Sequence, residues 1–184
     1  MYRTVKRALD IVISLSLLLV LWLPMLIIAV LVRIDSPGKA IFAQTRVGKD
    51  GKEFTMHKFR TMYQGEQRVT RVGTLLRGFA DELPQLWDVL RGEMSLVGPR
   101  PVLPGEPMPL GEFTPEQRKM FSVRPGITGW AQVTGFRGET KELCQMEGRV
   151  EADIWYMEHW SFLLDLFIIY KTFANVVKGE KEAY

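Results

Sequence analysis

The feature that most constrains this chain is the run from Ile11 to Val32, which contains no charged side chain. An α-helix crosses the hydrocarbon core of a bilayer with about 20 apolar residues, so the run is long enough to do so. It is longer than the apolar core of a cleaved signal peptide, about 7–15 residues, and no small-residue cleavage site follows it. The run therefore predicts a helix that anchors the protein in a membrane.

Basic residues flank this run on both sides, and Pro24 lies near its centre. The flanking residues are Arg3, Lys6, Arg7, Arg33, Lys39, Arg46, Lys49 and Lys52. Positive charge favours the cytoplasmic side, and a straight spanning helix cannot place both of its flanks there. Pro24 lacks an N–H and its ring clashes with the preceding turn, so it should bend the helix. We therefore predict a re-entrant helix in residues 1–38 that enters and leaves on one face, with a kinked transmembrane helix as the alternative.

The composition indicates one ordinary domain with a mild basic excess. Hydrophobic residues make up 47% of the 184 residues and charged residues 24%, which excludes a disordered chain, and the net charge is +3. A basic excess suits a partner that carries phosphate, but it does not distinguish a lipid headgroup from a nucleotide or a nucleic acid. Because Cys144 is the only cysteine, an internal disulfide is excluded, and neither histidine has a partner at zinc-ligand spacing.

The stretch "AIFAQTRVGKDGKEFTMHKFRTM" predicts a β-hairpin after the apolar run. Its apolar residues alternate, and the sequence "KDG" at residues 49–51 supplies the turn. The returning strand ends in "HKFRTM", where His57, Lys58 and Arg60 form a cationic cluster. Spacing alone makes a solvated strand end the simpler interpretation of this cluster.

The second half of the chain is predicted to combine loops with helices. A short helix begins near "TPEQRKMF", with Thr114 as its capping residue, and "VRPGITGWAQV" is predicted to be a loop. One long helix is predicted from Glu147 to Val177. Its aromatic side chains, with Lys171 and Lys178, suit a helix that lies in the membrane interface. An ordinary buried helix explains the same stripe, and both interpretations stay open.

A further helix is predicted to begin at the carboxylates of "FADELPQLW". Four apolar residues recur on one helical face, Pro84 is tolerated in the first turn, and Gly92 suits the end of the helix. These four are Leu83, Leu86, Trp87 and Leu90. Taken alone, Asp81 and Glu82 are typical of a helix cap, because acidic groups complement the helix dipole at its N-terminus.

Three arginines favour chemistry over a cap at this acidic pair, Asp81 and Glu82. Arg77 lies four residues before Asp81, Arg100 stands in "PRP", and Arg124 stands in "VRPG". A carboxylate that attacks phosphorus is repelled by the phosphate, so it needs a cation, a divalent metal or a helix N-terminus beside it. An arginine that precedes proline is held in an extended conformation and offers a fixed guanidinium fork to phosphate oxygens.

Several long motifs follow one another along the chain. In order they are "KRALDIVISL", "KFRTM", "RVTRVGTLLR", "DELPQLWDVLRGEMSLVGPRP", "VRPGITGWAQV", "GFRGET" and "DIWYMEHWSFLLDL". In these motifs the chain resembles, over nearly its whole length, the small monotopic phosphoglycosyl transferases, also called bacterial sugar transferases. The resemblance implies an α+β, predominantly helical fold, with a re-entrant membrane helix broken at Pro24, a small β-hairpin and interfacial amphipathic helices. It also implies that residues 39–184 form a catalytic domain on the cytoplasmic face of the bacterial inner membrane.

The resemblance implies a reaction in two steps. Asp81 takes a sugar 1-phosphate from a UDP-sugar, releases UMP and holds the phosphosugar covalently until polyprenol (undecaprenyl) phosphate accepts it. Glu82 is its catalytic partner, and both carboxylates are implied to hold Mg²⁺. The implied phosphate and nucleotide contacts are Lys58, Arg60, Arg77, Arg100, Arg124 and Arg137. The motif "GFRGET" is similar to the branch that transfers hexose 1-phosphate. Nucleic acid is not an expected partner, and a homo-oligomer is compatible with this function.

Two other classes of function stay open at the level of the residues. A phospho-aspartyl hydrolase would pass its phosphoryl group to water, but a soluble substrate needs neither a membrane anchor nor interfacial aromatic residues. A non-catalytic membrane adaptor would bind anionic headgroups through the basic clusters, and it would not need the acidic pair.

Overall fold

The computed structural model describes residues 2–66, 68–78, 80–105, 113–136 and 143–178. Its first element is a single helix, α1 (Tyr2–Asp35), which continues through Pro24. Within these described ranges it is the one helix long and apolar enough to cross a membrane. The predicted proline break does not divide α1 into two helices, because a proline removes only its own N–H from the hydrogen-bond ladder.

α1 contacts the rest of the protein through one narrow stripe. The stripe recurs every three to four residues, as the packed face of a helix does. Its members are Lys6, Asp10, Ser14, Met25, Ile28, Ala29 and Val32. The other faces are apolar and point outward, so that Val20 is 72% and Trp22 61% exposed. Both halves of α1 therefore contact the same body of the protein, although the helix is about 51 Å long at 1.5 Å per residue.

The predicted β-hairpin is confirmed. β1 (Ile41–Val47) and β2 (Glu53–Phe59) pair antiparallel, with Ile41 opposite Phe59. The turn between them is a short 3₁₀ helix in which Asp50 has a φ of 59°. Aspartate tolerates this left-handed conformation better than most residues do, so the local sequence suits the turn.

The acidic pair lies between two short helices. α2 (Arg71–Leu76) precedes it, the pair itself belongs to a 3₁₀ turn, Ala80–Glu82, and α3 (Gln85–Arg91) follows. α3 thus begins after the carboxylates rather than at them, because Pro84 occupies the position before its first turn. The predicted end is confirmed, since Gly92 has a φ of 87° and its N–H bonds to the last carbonyls of α3.

The buried face of α3 differs from the predicted one. Leu86 is 4% exposed, as expected, but Trp87 is 56% exposed. Gln85, Asp88 and Val89 are buried instead. At about 100° per residue, the buried face of α3 is centred between Gln85 and Val89, and Trp87 lies on the opposite face of the helix.

A second, parallel strand pair lies beyond α3. It consists of β3 (Ser95–Val97) and β4 (Gly126–Thr128), and the short helix α4 (Trp130–Val133) follows. The prediction of a loop for "VRPGITGWAQV" is therefore wrong. The backbones approach so closely that a Cβ on Gly126 would lie 2.2 Å from the nitrogen of Gly98. This strand is formed by a contact distant in sequence, which a local pattern does not reveal.

The capping pattern predicted at Thr114 is confirmed. The Thr114 hydroxyl accepts the Gln117 N–H at 3.2 Å, and Gln117 Oε1 accepts the Thr114 N–H at 2.9 Å. The helix that follows is a 3₁₀ helix, Gln117–Ser122.

The long C-terminal helix predicted from Glu147 to Val177 is in fact two helices. α5 (Leu143–Glu158) ends before Ser161, and α6 (Phe162–Lys178) begins after it, with the Ser161 hydroxyl accepting the Leu164 N–H. The outward face of α6 is apolar and exposed. It presents Phe162, Leu163, Leu166, Phe167, Tyr170, Phe173 and Val177. This exposure excludes an ordinary buried helix for α6.

Apolar packing holds the acidic pair between α1, α2 and the hairpin. Val32 of α1, Phe59 of β2 and Leu76 of α2 form one buried cluster. Ala80 and Leu83, which flank the acidic pair, pack against that cluster. The position of the pair is therefore set by a core to which α1 itself contributes.

A buried polar network joins the first turns of α1 to the C-terminal half of the chain. Lys6 Nζ lies 2.9 Å from Asp165 Oδ2 and 3.6 Å from Asp10 Oδ1. Asp165 also accepts the Tyr156 hydroxyl at 2.6 Å, and Asp10 accepts the Ser95 hydroxyl at 2.7 Å. One ammonium thus compensates two carboxylates that are largely removed from water.

Replacing Lys6 by Met is expected to lower the free energy of unfolding by about 3–5 kcal/mol, because it leaves two buried carboxylates without their cation. The measurement is the unfolding midpoint of the detergent-solubilised protein. Lys52→Met, at an exposed position before β2, is the matched control and should change the free energy by less than about 0.5 kcal/mol. Equal midpoints for the two variants would show that the network does not stabilise the fold.

Candidate active site

The acidic pair is half-buried in the 3₁₀ turn before α3. Asp81 Oδ1 is buried and has no hydrogen-bond partner among the described residues. Burial raises the pKa of the Asp81 carboxyl and the charge of Glu82 raises it further, whereas the charge of Lys58 and hydrogen bonds from the backbone N–H groups of Asp81 and Gly78 lower it. A poorly solvated carboxylate beside a second carboxylate is costly to maintain, and such groups are concentrated at functional sites.

Lys58, near the end of β2, lies beside the acidic pair. Burial lowers the pKa of its ammonium, and the charges of Arg100 and Arg46 lower it further, while Glu82 and Asp81 oppose them. Two arginines and two carboxylates therefore lie close enough to Lys58 to shift its pKa. The excess of positive charge suits a substrate that carries phosphate.

The sequence pattern does not single out Arg46 as a site residue. The register of the hairpin puts Arg46 and Lys58 on the same face, because residues of equal parity share a face in this pairing. Arg46 donates from Nη1 to the Pro101 carbonyl at 3.3 Å and from Nη2 to Gln44 Oε1 at 2.8 Å. The alternation of the strands, combined with the position of the turn, is the sequence signal that would place Arg46 on the same face as Lys58.

Arg100 connects the site to a carboxylate on α5. Asp153 is fully buried, and burial raises the pKa of its carboxyl to about 7. The charge of Arg149, one turn earlier on α5, opposes this rise in pKa, and so do the backbone N–H and the charge of Arg100. Asp153 thus lies next to Arg100, and although it opens the motif "DIWYMEHWSFLLDL", its spacing in the sequence does not predict a role in the site.

His57 belongs to the predicted cationic cluster but serves to position β2. Its Nδ1 lies 2.7 Å from Asp88 Oδ1, and its backbone N–H donates to Asp88 Oδ2 at 2.9 Å. Burial raises the pKa of Asp88, and the hydrogen bonds from His57 oppose the rise. The contact ties β2, which carries Lys58, to α3, which follows the acidic pair.

Arg60 does not lie beside the acidic pair. It is 6% exposed, and its guanidinium donates to the carbonyls of Lys39 and Ser36 at 2.8 and 2.7 Å. Arg60 therefore fastens the end of α1 to the hairpin. This structural role accounts for the arginine in "KFRTM" without a phosphate contact.

The other predicted arginines are dispersed. Arg77 is exposed at the C-terminal end of α2. Arg124 donates from Nε to the Gly92 carbonyl at 2.6 Å, which puts it at the end of α3 opposite the acidic pair. Arg137 lies outside the described residues. Of the five predicted phosphate contacts that lie in the described part of the chain, the structure brings Lys58 and Arg100 close together.

The chemistry of the acidic pair fits a magnesium ion. Mg²⁺ is bound through one or two carboxylates together with substrate phosphates, rather than by a complete cage of protein ligands. Asp81 and Glu82 supply two neighbouring carboxylates, and Asp81 Oδ1 is a buried oxygen that accepts no hydrogen bond within the described part of the chain. No group of three or more His, Cys, Asp or Glu side chains that could hold a metal occurs there either, so part of the coordination would come from substrate.

Asp153→Asn is expected to weaken the dependence of stability on pH. An unfolded Asp titrates near pH 4, whereas Asp153 titrates at about 7 in the fold. Between these values only the folded state holds the proton, so stability is greatest below the unfolded pKa and falls by up to ~1.4 kcal/mol per pH unit as pH rises.

The measurement is the unfolding midpoint at pH 5 and at pH 7.5. The midpoint of Asp153→Asn should fall less over this range than that of the unchanged protein. Glu151→Gln, at an exposed position on α5, is the control and should behave as the unchanged protein does. An identical fall in all three proteins would mean that Asp153 does not hold a proton in the fold.

Known proteins resemble this chain in sequence over nearly its whole length. The family model described as bacterial sugar transferase matches residues 1–179. The chain is 42% identical over 198 residues to the UDP-glucose:undecaprenyl-phosphate glucose-1-phosphate transferase of Xanthomonas campestris pv. campestris, an alignment that covers 100% of this chain and 41% of that protein. It is 43% identical over 186 residues to a protein of the same name from Caulobacter vibrioides, with 94% of this chain and 69% of that protein covered.

A third relative has a different sugar in its name. The chain is 37% identical over 191 residues to the UDP-N-acetylgalactosamine-undecaprenyl-phosphate N-acetylgalactosaminephosphotransferase of Aeromonas hydrophila, covering 97% of this chain and 45% of that protein. The chain thus spans less than half the length of the Xanthomonas and Aeromonas proteins. The match of the family model to residues 1–179, together with these identities, establishes that this chain belongs to the bacterial sugar transferase family.

Proposed function

We propose that this chain transfers a sugar 1-phosphate from a UDP-sugar to polyprenol (undecaprenyl) phosphate, releases UMP and so initiates the synthesis of a membrane-linked glycan. The observation that carries the proposal is the buried, unpartnered oxygen of Asp81 beside Lys58 and close to Glu82. The names of the relatives supply the two substrate classes, a UDP-sugar and undecaprenyl phosphate.

In the first step, a carboxylate oxygen of Asp81 attacks the phosphorus that bears the sugar. The new O–P bond replaces the bond from that phosphorus to the bridging oxygen of the diphosphate. UMP leaves with the electron pair, and the phosphosugar stays on Asp81 as an acyl phosphate. Lys58, Arg46 and Arg100 lower the repulsion between the anionic nucleophile and the phosphate.

In the second step, an oxygen of polyprenol phosphate attacks the same phosphorus. The bond from Asp81 to phosphorus breaks, which restores the carboxylate and yields the polyprenyl diphosphosugar. Each step forms one P–O bond and breaks one, so the reaction needs no oxidant or reductant. Half-burial of Asp81 limits the access of water, which would otherwise hydrolyse the intermediate.

Asp81 and Glu82 would hold Mg²⁺ together with the diphosphate of the donor. When bound, the ion supplies charge neutralisation and polarises the phosphoryl oxygens. Glu82 also raises the pKa of Asp81 by its negative charge, so a cation shared by the two carboxylates would favour the ionised nucleophile.

We propose a hexose 1-phosphate as the transferred group, on the strength of the motif "GFRGET" at residues 135–140. The named sugars of the relatives are glucose and N-acetylgalactosamine, so the shared reaction does not itself select the sugar. Most of this motif, with Arg137, lies outside the described residues.

We propose further that α1 is re-entrant and that the chain lies on the cytoplasmic face of the inner membrane. Both halves of α1 contact the same body of the protein, which supports entry and exit on one side of the bilayer. Exposed apolar side chains on α6 suit the membrane interface, and Leu75 and Trp87 are exposed apolar residues elsewhere in the fold.

Asp81→Asn is expected to reduce UMP release by at least about 10³-fold, because the amide cannot serve as the nucleophile. The assay supplies a UDP-hexose, undecaprenyl phosphate and Mg²⁺, and initial rates at varied substrate concentrations should show ping-pong kinetics. Asp50→Asn, in the exposed hairpin turn, is the matched control and should keep full activity.

Normal turnover by a folded Asp81→Asn protein, or strictly sequential kinetics, would refute the covalent step. Steady UMP release without undecaprenyl phosphate would indicate the hydrolase instead. A chelator should abolish release by the unchanged protein if Mg²⁺ is held by the acidic pair and the donor.

The topology of α1 predicts that both of its ends are accessible from the cytoplasm. Single cysteines at Thr4 and Lys39, both exposed positions, are placed separately in a Cys144→Ser background. A membrane-impermeant thiol reagent should label both cysteines in inside-out vesicles and neither in intact cells. Labelling of one of them from outside the cell would establish a transmembrane helix.

A further inference from the structure

A cavity lies at the end of α3 opposite the acidic pair. Its charged lining consists of Lys6, Arg7, Asp10, Lys49 and Arg124, and Tyr156 and Trp160 line it as well. Four cations thus face one carboxylate across this space. The seven residues of α3 separate the cavity from the acidic pair by about 10 Å along the helix axis.

Two arginines converge at this end of α3. Arg7 donates to the carbonyls of Val89 and Leu90 at 2.7 and 3.1 Å, and Arg124 donates to the Gly92 carbonyl at 2.6 Å. The last carbonyls of a helix have no partner within it and favour cations, so both arginines satisfy them. Two like charges held this close repel each other, which an anion between them would relieve.

Only one nitrogen of the Arg124 guanidinium forms a hydrogen bond within the described residues. Its Nε bonds to the Gly92 carbonyl, and no hydrogen bond of its two terminal nitrogens occurs there. Both terminal nitrogens of Arg7, in contrast, are bonded to carbonyls. The arrangement leaves Arg124 with the paired donors that bind a phosphate group.

Lys6 contributes little to the net positive charge of the cavity, because its ammonium is paired with both Asp10 and Asp165. Asp10, the one acidic residue in the lining, also accepts the Ser95 hydroxyl and the Leu96 N–H. Lys49 lies 3.7 Å from Asp50 with its side chain 44% exposed, so this contact is weak. The cavity therefore keeps a positive potential from Arg7, Arg124 and Lys49.

The surroundings of the cavity are those of a membrane surface. Val5, next to Lys6 in the chain, is 48% exposed, and Phe162 and Leu163, which follow Trp160, are 47% and 75% exposed. Cations beside such apolar side chains meet the phosphates of lipid headgroups when the apolar groups enter the bilayer.

We propose that this cavity is a second anion site, distinct from the acidic pair, that binds a phosphate group, and that an anionic phospholipid headgroup supplies it. The site is independent of the proposed transferase reaction, because it needs neither UDP-sugar nor Asp81. It would attach the N-terminal end of α1 to the membrane surface.

The test measures binding directly on the purified full-length chain in nonionic detergent. Dioctanoyl-phosphatidylglycerol, dioctanoylglycerol and inorganic phosphate are titrated separately, and the shift of the thermal unfolding midpoint gives each Kd. Phosphatidylglycerol should raise the midpoint to a plateau, and dioctanoylglycerol should not. Equal protection by inorganic phosphate would support the site and identify free phosphate as sufficient.

Arg124→Gln should weaken binding of phosphatidylglycerol about ten-fold, because it removes a charge-assisted pair of hydrogen bonds. Lys49→Gln, at a half-exposed turn where misfolding is not expected, should weaken it by a smaller factor. Arg118→Gln is the matched control, since Arg118 also donates from Nε to a backbone carbonyl but does not line the cavity, and it should bind as the unchanged protein does.

Two results would overturn the proposal. One is protection by phosphatidylglycerol no greater than that by dioctanoylglycerol. The other is an unchanged Kd in Lys49→Gln and in any folded Arg124→Gln protein, which would place lipid binding elsewhere. Loss of transferase activity in Asp81→Asn does not affect either measurement, so the two proposals fail separately.

Discussion

The buried ion pair between Lys6 and Asp165 is the interaction on which the placement of α1 depends. Most of the surface of α1 is apolar and points outward, so packing against protein holds only one stripe of it. An ammonium shared by Asp165 and Asp10 fixes the first turns of α1 against α6 and β3, because any displacement leaves a buried charge without a partner. At the other end, Asp35 Oδ2 accepts the Val72 N–H at 2.8 Å. Both ends of α1 are thus fastened to the same body of the protein.

Charged side chains are concentrated at the two ends of the short helix α3. Carboxylates are favoured before its N-terminal end and cations at its C-terminal end, in accord with the direction of the peptide dipoles. The acidic pair lies before the N-terminal end of α3, with Lys58 and Arg100 near it. Arg7 and Arg124 lie at the C-terminal end. The sequence pattern allows the acidic pair to be either a helix cap or a catalytic pair, and the two interpretations are compatible. A carboxylate placed by a helix end is held where a phosphate and its metal are best received.

Elements governed by neighbours in sequence agree with their predictions. The hairpin follows from alternation and a turn that tolerates a left-handed residue, the cap at Thr114 follows from a reciprocal side-chain pattern, and the end of α3 follows from Gly92. Two of the predictions that are wrong depend on how an element packs against distant residues. The strand at 126–128 exists because it pairs with residues 95–97, and Trp87 is exposed because α3 packs through the face that carries Gln85 and Val89. The break at Ser161 depends on a single cap within a continuous apolar stripe, which hides it from periodicity.

The sequence by itself determined that an apolar helix lies near the start of the chain, that a hairpin follows it, and that two carboxylates stand before α3 in a chain with many arginines. Local chemistry suffices for these features, since each rests on residues a few positions apart. Only the tertiary structure decided which cations meet the carboxylates. It brings Arg46 to the face of the hairpin that carries Lys58, buries Arg60 against carbonyls, and puts Arg124 at the far end of α3. Charge acts through space over several ångströms, whereas the sequence records only order along the chain, so a cluster of charges is a property of the fold.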